Sequence, residues 1–351
     1  QDCQGSGSIR RSLQGHQRMR SHQTWRKSVE AIIAAVRAPS VTRRAAEDLA
    51  ERFAKLAERP GGAVESKDLS ALIAALGRRK LWERALALLP AHQAHSSTAS
   101  LITGTLTCDI GVVNAAMSAC TRGGQWQRCL QLFSEIHEFA LKPNAISFTV
   151  AIGACATGQT WKLAMHLFGK LHGAGVEPDL HHFNALLSAC GRASQWARTI
   201  LMFEDRRCNQ RENSELDAVS FLACIDACAR GHRWQLALHF LDAATGPCQP
   251  AWRRLPSSNA AKAGIFSSAV TALEKSQEWQ RALQLFAQMC GPLGLSPRHA
   301  GYGAALAACE HGMQWRRALE LLEDMELQGL EPDKACFRSA VRAYREAEEA
   351  K

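Results

Sequence analysis

Residues 110–144 read IGVVNAAMSACTRGGQWQRCLQLFSEIHEFALKPN, and residues 145–179 read AISFTVAIGACATGQTWKLAMHLFGKLHGAGVEPD, two consecutive stretches of 35 residues. In the first, Val113, Ala116, Met117 and Cys120 fall at i, i+3, i+4 and i+7, and Trp126, Cys129, Leu130, Phe133 and Ile136 form a second stripe of helical period. Each stretch therefore predicts two amphipathic helices. Between them, Arg122-Gly123-Gly124-Gln125 is a polar break whose glycines are expected to end the first helix and permit the reversal. The first stretch closes on Pro143-Asn144 and the second on Gly175-Val176-Glu177-Pro178-Asp179. Proline cannot continue a helix and Asn or Asp caps the next one, so each unit restarts where it ends.

Tryptophan carries the pattern along the chain. Trp82, Trp126, Trp161, Trp196, Trp234, Trp279 and Trp315 each precede an amphipathic run, at separations of 44, 35, 35, 38, 45 and 36. Self-similarity near 35 residues marks a repeat architecture in which each helix pair buries its apolar face against its neighbours. The predicted fold is all-α, an α-solenoid superhelix of stacked antiparallel helix pairs. The predicted organisation is a basic leader at 1–22, a helical pair at 23–65 acting as a cap or degenerate repeat, about seven repeats at 66–345, and a charged tail at 346–351. Insertions at Ala91–Asp109 and Gly246–Ser258, with three extra residues in the unit from Leu180, are expected to be loops. The tail from Arg345 is expected to cap the far end. The repeated tryptophans open the second helices at core spacing and are expected to pack, not to stack on a ligand.

The net charge of +9 favours an anionic partner, but residues 1–65 carry 12 basic and 7 acidic side chains, so only about four of the excess charges belong to the repeats. The leader has one acidic residue, Asp2, and is rich in Gln, Ser and Arg, a balance shared by organelle transit peptides and by ordinary leaders. Five of the thirteen cysteines recur at one place, in Ala-Cys pairs ending at Cys120, Cys155, Cys190, Cys228 and Cys309. One cysteine per stacked unit is a packing signature, too widely spaced for disulfides, and it points to a reducing compartment. No apolar run of about 18 residues exists, so membrane insertion is not expected.

Val-Val-Asn-Ala-Ala-Met in one unit, Phe-Thr-Val-Ala-Ile in the next and Phe-Asn-Ala-Leu-Leu in the third, each followed by Leu-Phe about 19 residues on, resemble the pentatricopeptide repeat family in its P-type form. The resemblance covers about residues 66–345, with 110–144, 145–179 and 299–333 best formed. It implies binding of single-stranded RNA, one base per repeat. The base is read by the residue after the first helix's aromatic position together with the residue after the loop proline.

Carried onto this sequence, the base-reading pairs are Asn114 with Asn144, Thr149 with Asp179, and Asn184 with Asp217, implying pyrimidine, guanine and uracil in 5′ to 3′ order. Base-sandwiching side chains would be Ile146, His181 and Val219. Phosphate contacts would come from the basic residues ending the first helices, Arg78, Arg122, Arg192, Arg230 and Lys275. Helix capping also favours Asn and Asp at these sites, and the macrodipole favours a cation at any helix C-terminus. Later units depart from the code: Leu222 offers no hydrogen bond, Ser267 faces Arg298, and Gly303 leaves Asp333 without a partner.

No catalytic residues, cofactor or metal are expected. Cys224, Cys228 and His232 lie at i, i+4 and i+8, but no fourth ligand accompanies them. The His-x-Glu and Cys-x-x-Cys of a zinc deaminase are missing, as is a phosphate-binding glycine loop. The resemblance implies RNA processing, stability, editing or translation in a mitochondrion or chloroplast, with a separate RNA-processing enzyme or helper protein doing any chemistry. The alternative is a protein-binding α-solenoid scaffold that takes no RNA.

Overall fold

The computed structural model describes residues 26–38, 41–57, 65–89, 109–138, 141–208, 216–245 and 259–349. The leader at 1–22 and most of both long insertions lie outside these residues. The described residues form 17 helices and no strand. Helix α1 spans 26–37, α2 Arg43–Ala57, α3 Ser66–Arg78, α4 Trp82–Ala87, α5 Ile110–Arg122, α6 Trp126–Glu135, α7 Ala145–Thr157 and α8 Trp161–Gly173. Then follow α9 Leu180–Arg192, α10 Trp196–Cys208, α11 Ala218–Arg230, α12 Trp234–Thr245, α13 Asn259–Lys275, α14 Trp279–Cys290, α15 His299–His311, α16 Trp315–Leu327 and α17 Lys334–Glu349. Each tryptophan of the 35-residue pattern opens a second helix.

The chain forms two compact units whose boundary runs through α8: residues up to 158 with 166–177, and residues 159–165 with 178 onward. In the first, α3 packs on α5 and α5 on α7, while α4 and α6 each touch two of these helices. Upstream, Arg79 at the end of α3 donates from Nε to the Val36 carbonyl at 2.8 Å and from its other nitrogens to the carbonyls of Ala38 and Val41. The guanidinium thus satisfies the open carbonyls at the α1–α2 turn and ties that pair to the first repeat.

In the second unit α9, α11, α13, α15 and α17 pack in succession, and α10, α12, α14 and α16 each bridge two of them. This is the stacked-pair arrangement of an all-α repeat fold. Phenylalanines close the joints edge to face, Phe203 to Phe221 at 5.1 Å and Phe286 to Tyr302 at 5.3 Å. The Ala-Cys pairs sit fully buried where first helices meet. Burial pushes the thiols of Cys120, Cys190 and Cys309 up to about 11 and that of Cys228 to about 12. None of the described cysteines forms a disulfide.

The break between paired helices works differently from its sequence expectation. The left-handed residue is the third in the break, and it is a glycine only at Gly124, with φ 77°. Elsewhere Lys80, Gln159, Ser194, His232, Gln277 and Met313 adopt φ between 53° and 62°. The other glycine has an ordinary φ: Gly123 at −77°, Gly158 at −84°, Gly231 at −87° and Gly312 at −93°. It is needed for close approach, because a Cβ there would lie 2.4–2.6 Å from the indole of the preceding repeat, Trp82, Trp126, Trp196 or Trp279 respectively. Trp82, Trp126, Trp196 and Trp279 are thus packing residues, each seated against the next repeat. Arginines cover several of the tryptophans, Arg198 over Trp161 at 4.3 Å, Arg233 over Trp196 at 4.8 Å and Arg281 over Trp234 at 4.3 Å.

Residues 345–349 continue α17, and Phe337, Val341 and Tyr344 on that helix stay exposed. They occupy the fourth, eighth and eleventh positions, which in α7 are the buried Phe148, Ile152 and Cys155.

Candidate nucleic-acid interface

Five first helices, α5, α7, α9, α11 and α17, start at a side-chain cap. The side-chain oxygen of Asp109, Asn144, Asp179, Asp217 and Asp333 accepts the backbone N–H three residues on, at 2.9–3.0 Å. Arg298 holds the equivalent place before α15 and makes no side-chain cap. Asp217 caps in the same way although Leu216, not proline, precedes it.

Two of these caps join a cluster reaching back one repeat. Asn114 Nδ2 donates to Asn144 Oδ1 at 3.1 Å, and Asn184 Nδ2 donates to Asp217 Oδ1 at 3.0 Å. Ser147 Oγ donates to Asn114 Oδ1 and Ser220 Oγ to Asn184 Oδ1, both at 2.7 Å. Asn114 and Asn184 are 5 % and 7 % exposed, and both serines are fully buried. The cap residues are therefore helix caps and partners of the head asparagines at once. The serines were missed in the sequence, although the Asn-x-x-Ser and Asp-x-x-Ser spacing of a cap was there to be read.

The third proposed pair is built otherwise. Thr149 lies in the first unit and donates to the Ala145 carbonyl of its own helix at 2.9 Å. Asp179 lies in the second, where His182 Nδ1 sits 2.6 Å from its carboxylate. Partial burial pushes the Asp179 carboxyl up, but the backbone N–H and imidazole of His182 outweigh it and hold its pKa below the ordinary 3.8.

Beside the clusters the surface is apolar and open. Ile146 is 59 % and Val219 52 % exposed, each in the first turn of its helix, and His181 is exposed at the same position of α9. Gly111 takes that place in α5, so the Asn114 cluster lies between Gly111 and Ile146 and the Asn184 cluster between His181 and Val219.

At the other end of these helices Arg78, Arg122, Arg192, Arg230 and Lys275 are all exposed. Eight residues separate head from tail, roughly 12 Å at 1.5 Å per residue. Arg230 is tied to Asp226 Oδ2 at 3.2 Å. Cys224 and Cys228 are buried, whereas His232 has left the helix, is exposed and bonds the Lys275 carbonyl at 2.9 Å. These three do not converge.

Residues 112–140 match the family model of the PPR repeat, and residues 131–193 that of the pentatricopeptide repeat domain. Residues 112–193 carry pentatricopeptide repeats. Among solved structures, the chain is similar to the maize pentatricopeptide repeat protein PPR10, with 21% identity, a TM-score of 0.49, and coverage of 89% of this chain and 46% of that one. PPR10 in complex with an 18-nt psaJ RNA element is similar at 14% identity and a TM-score of 0.41, covering 91% of this chain and 59% of that one. The chain thus spans about half the length of the structures it matches. No curated protein matches it. No helix among the described residues is long and apolar enough to cross a membrane.

Proposed function

We propose that this chain binds single-stranded RNA along the starts of its first helices and reads bases with the side-chain pairs found there. The observation that carries this is the recurrence, in two separate units, of an asparagine amide bonded to the next repeat's cap and flanked by an open first-turn position. Such a site offers a base a hydrogen-bonding edge and a face to lie against.

The free atoms distinguish the two sites. With Oδ1 engaged, Asn144 has its Nδ2 donors left and Asp217 its Oδ2 acceptor. Two amides present donor beside donor, which suits the N3 and O2 acceptors of a pyrimidine such as cytosine. An amide beside a carboxylate presents donor and acceptor, which suits a uracil carbonyl and its N3–H. Guanine at Thr149 and Asp179 rests on the family resemblance. Ile146, His181 and Val219 would sandwich the bases, and Arg78, Arg122, Arg192, Arg230 and Lys275 would meet phosphates.

The chain acts sterically and without chemistry of its own: a bound array blocks exonucleases, prevents a hairpin, or presents a site to a separate RNA-processing enzyme or helper protein. The setting is processing, stability, editing or translation of a mitochondrial or chloroplast transcript. The test measures binding to single-stranded RNAs and matched DNAs over a salt series, for wild type and a variant carrying Asn114→Ala, Thr149→Ala and Asn184→Ala. Preference for RNA, weakening with salt and loss of base preference in the variant are expected. No RNA binding at moderate salt, or a variant indistinguishable from wild type, ends the base-reading proposal.

A further inference from the structure

A buried amide that can turn over presents two opposite hydrogen-bonding patterns, so whatever fixes its orientation contributes to recognition. In both clusters the asparagine is held from two sides. Its Nδ2 meets the cap oxygen at 3.0–3.1 Å and its Oδ1 meets a serine hydroxyl at 2.7 Å. Turning the amide over would place two acceptor oxygens against each other at the cap.

Each serine lies within 3.0 Å of the cap oxygen as well, yet its shorter contact is to the asparagine of the preceding repeat. Completing a capping box does not account for it. Ser147 makes that box in α7, whereas α11 lacks one and Ser220 still holds Asn184 at 2.7 Å. The equivalent position is Asp68 in α3 and Val112, His182, Ile265, Gly301 or Cys336 in the others, with α13 aligned by its C-terminal end, none with a hydroxyl. In the preceding repeats the head residues are then Ser70, Thr149, Leu222, Ser267 and Gly303. Among the described first helices, serine stands at that position only where the repeat before it has asparagine at its head.

We propose that Ser147 and Ser220 are positioning residues of the base sites, each locking the preceding repeat's asparagine amide so that its remaining Nδ2 hydrogen is the donor offered to a base. This rests on the RNA-reading proposal above. The cap still favours the same orientation when the hydroxyl is lost, so the effect is that of one hydrogen bond, roughly fivefold in discrimination.

The experiment uses the full chain with Ser220→Ala, Asn184→Ala and the double variant, selecting from randomised single-stranded RNA and following the Asn184 side-chain amide by NMR without RNA. Ser220→Ala is expected to speed hydrogen exchange at that amide. It should also lower pyrimidine-over-purine discrimination at one nucleotide about fivefold, with the salt dependence unchanged. Added to Asn184→Ala, it should cost no further discrimination. If Ser220→Ala is not folded by circular dichroism, Ser220→Thr keeps the hydroxyl and should keep discrimination. Full discrimination in folded Ser220→Ala, or further loss in the double variant, overturns the proposal. Wild type without base preference overturns RNA reading itself, and this proposal with it, before any variant is compared.

Discussion

Replacing Gly231 with alanine isolates the contact that joins one repeat to the next. Its φ of −87° suits any residue, so the substitution has no backbone penalty and would by itself stabilise by about 0.4–1 kcal/mol through the unfolded chain. The new methyl would lie 2.5 Å from Trp196 Cδ1 and 2.6 Å from Cγ, far inside contact distance. Displacing a packed indole costs about 1–3 kcal/mol, leaving a net loss of about 1.3 kcal/mol at the midpoints of the two ranges. Gly153 and Gly169 are internal controls: each lies in a helix with nothing within 4 Å of an added Cβ. Alanine there should stabilise by about 0.5–1 kcal/mol. Urea denaturation followed by circular dichroism reads all three. In a Trp196→Ala background the Gly231→Ala penalty should vanish. A stable Gly231→Ala, or a penalty that persists without the indole, would refute this account of the glycines.

Among the described cysteines, thiol labelling of folded protein at pH 8 should modify Cys208 and Cys290 first, since both are exposed, and reach the buried thiols of about 11 to 12 only on unfolding. Asp179 has a folded pKa below its unfolded value near 3.8. Its contribution is therefore complete above that value and lost as pH falls through the folded one, so Asp179→Asn should flatten the stability profile below about pH 4. Arg198→Ala uncovers the Trp161 ring and should cost about 0.5–1 kcal/mol in thermal unfolding, with Arg198→Lys retaining part of it. If Arg122 and Arg192 meet RNA phosphates, neutralising each should reduce the slope of log affinity against log salt by about 0.7, and unchanged slopes would remove them from the interface.

Helix positions were legible because their signals are local. A tryptophan opening each second helix and an Asp or Asn capping five of the first ones are set by residues a turn apart, and the structure keeps these boundaries through units of unequal length. Contacts spanning a whole repeat were not legible. Gly123 reads as a turn former beside Gly124, yet the ring that requires it stands at Trp82. The bonds from Ser147 to Asn114 and from Ser220 to Asn184 cross 33 and 36 residues and leave no periodic trace. The head asparagines were found through family resemblance, and their burial and pairing came only from the fold. The boundary within α8 had no sequence signal, because the Trp161 unit is as regular as its neighbours.

Each asparagine cluster straddles a joint, and this fixes how such chains can be recombined. The segment 110–144 is one helix pair by structure, but moved into another array it would carry Asn114 and Asn144 without Ser147. The exchangeable letter is offset from the structural unit, its cuts falling inside first helices beyond Ser147 and Ser220 and not at the prolines. Shuffling at the loops would preserve the fold and break the clusters. Shuffling within the helices would preserve the clusters and put the helix register at risk. A lineage that duplicates such repeats must meet both constraints, and the second is invisible to any comparison that begins each repeat at its cap.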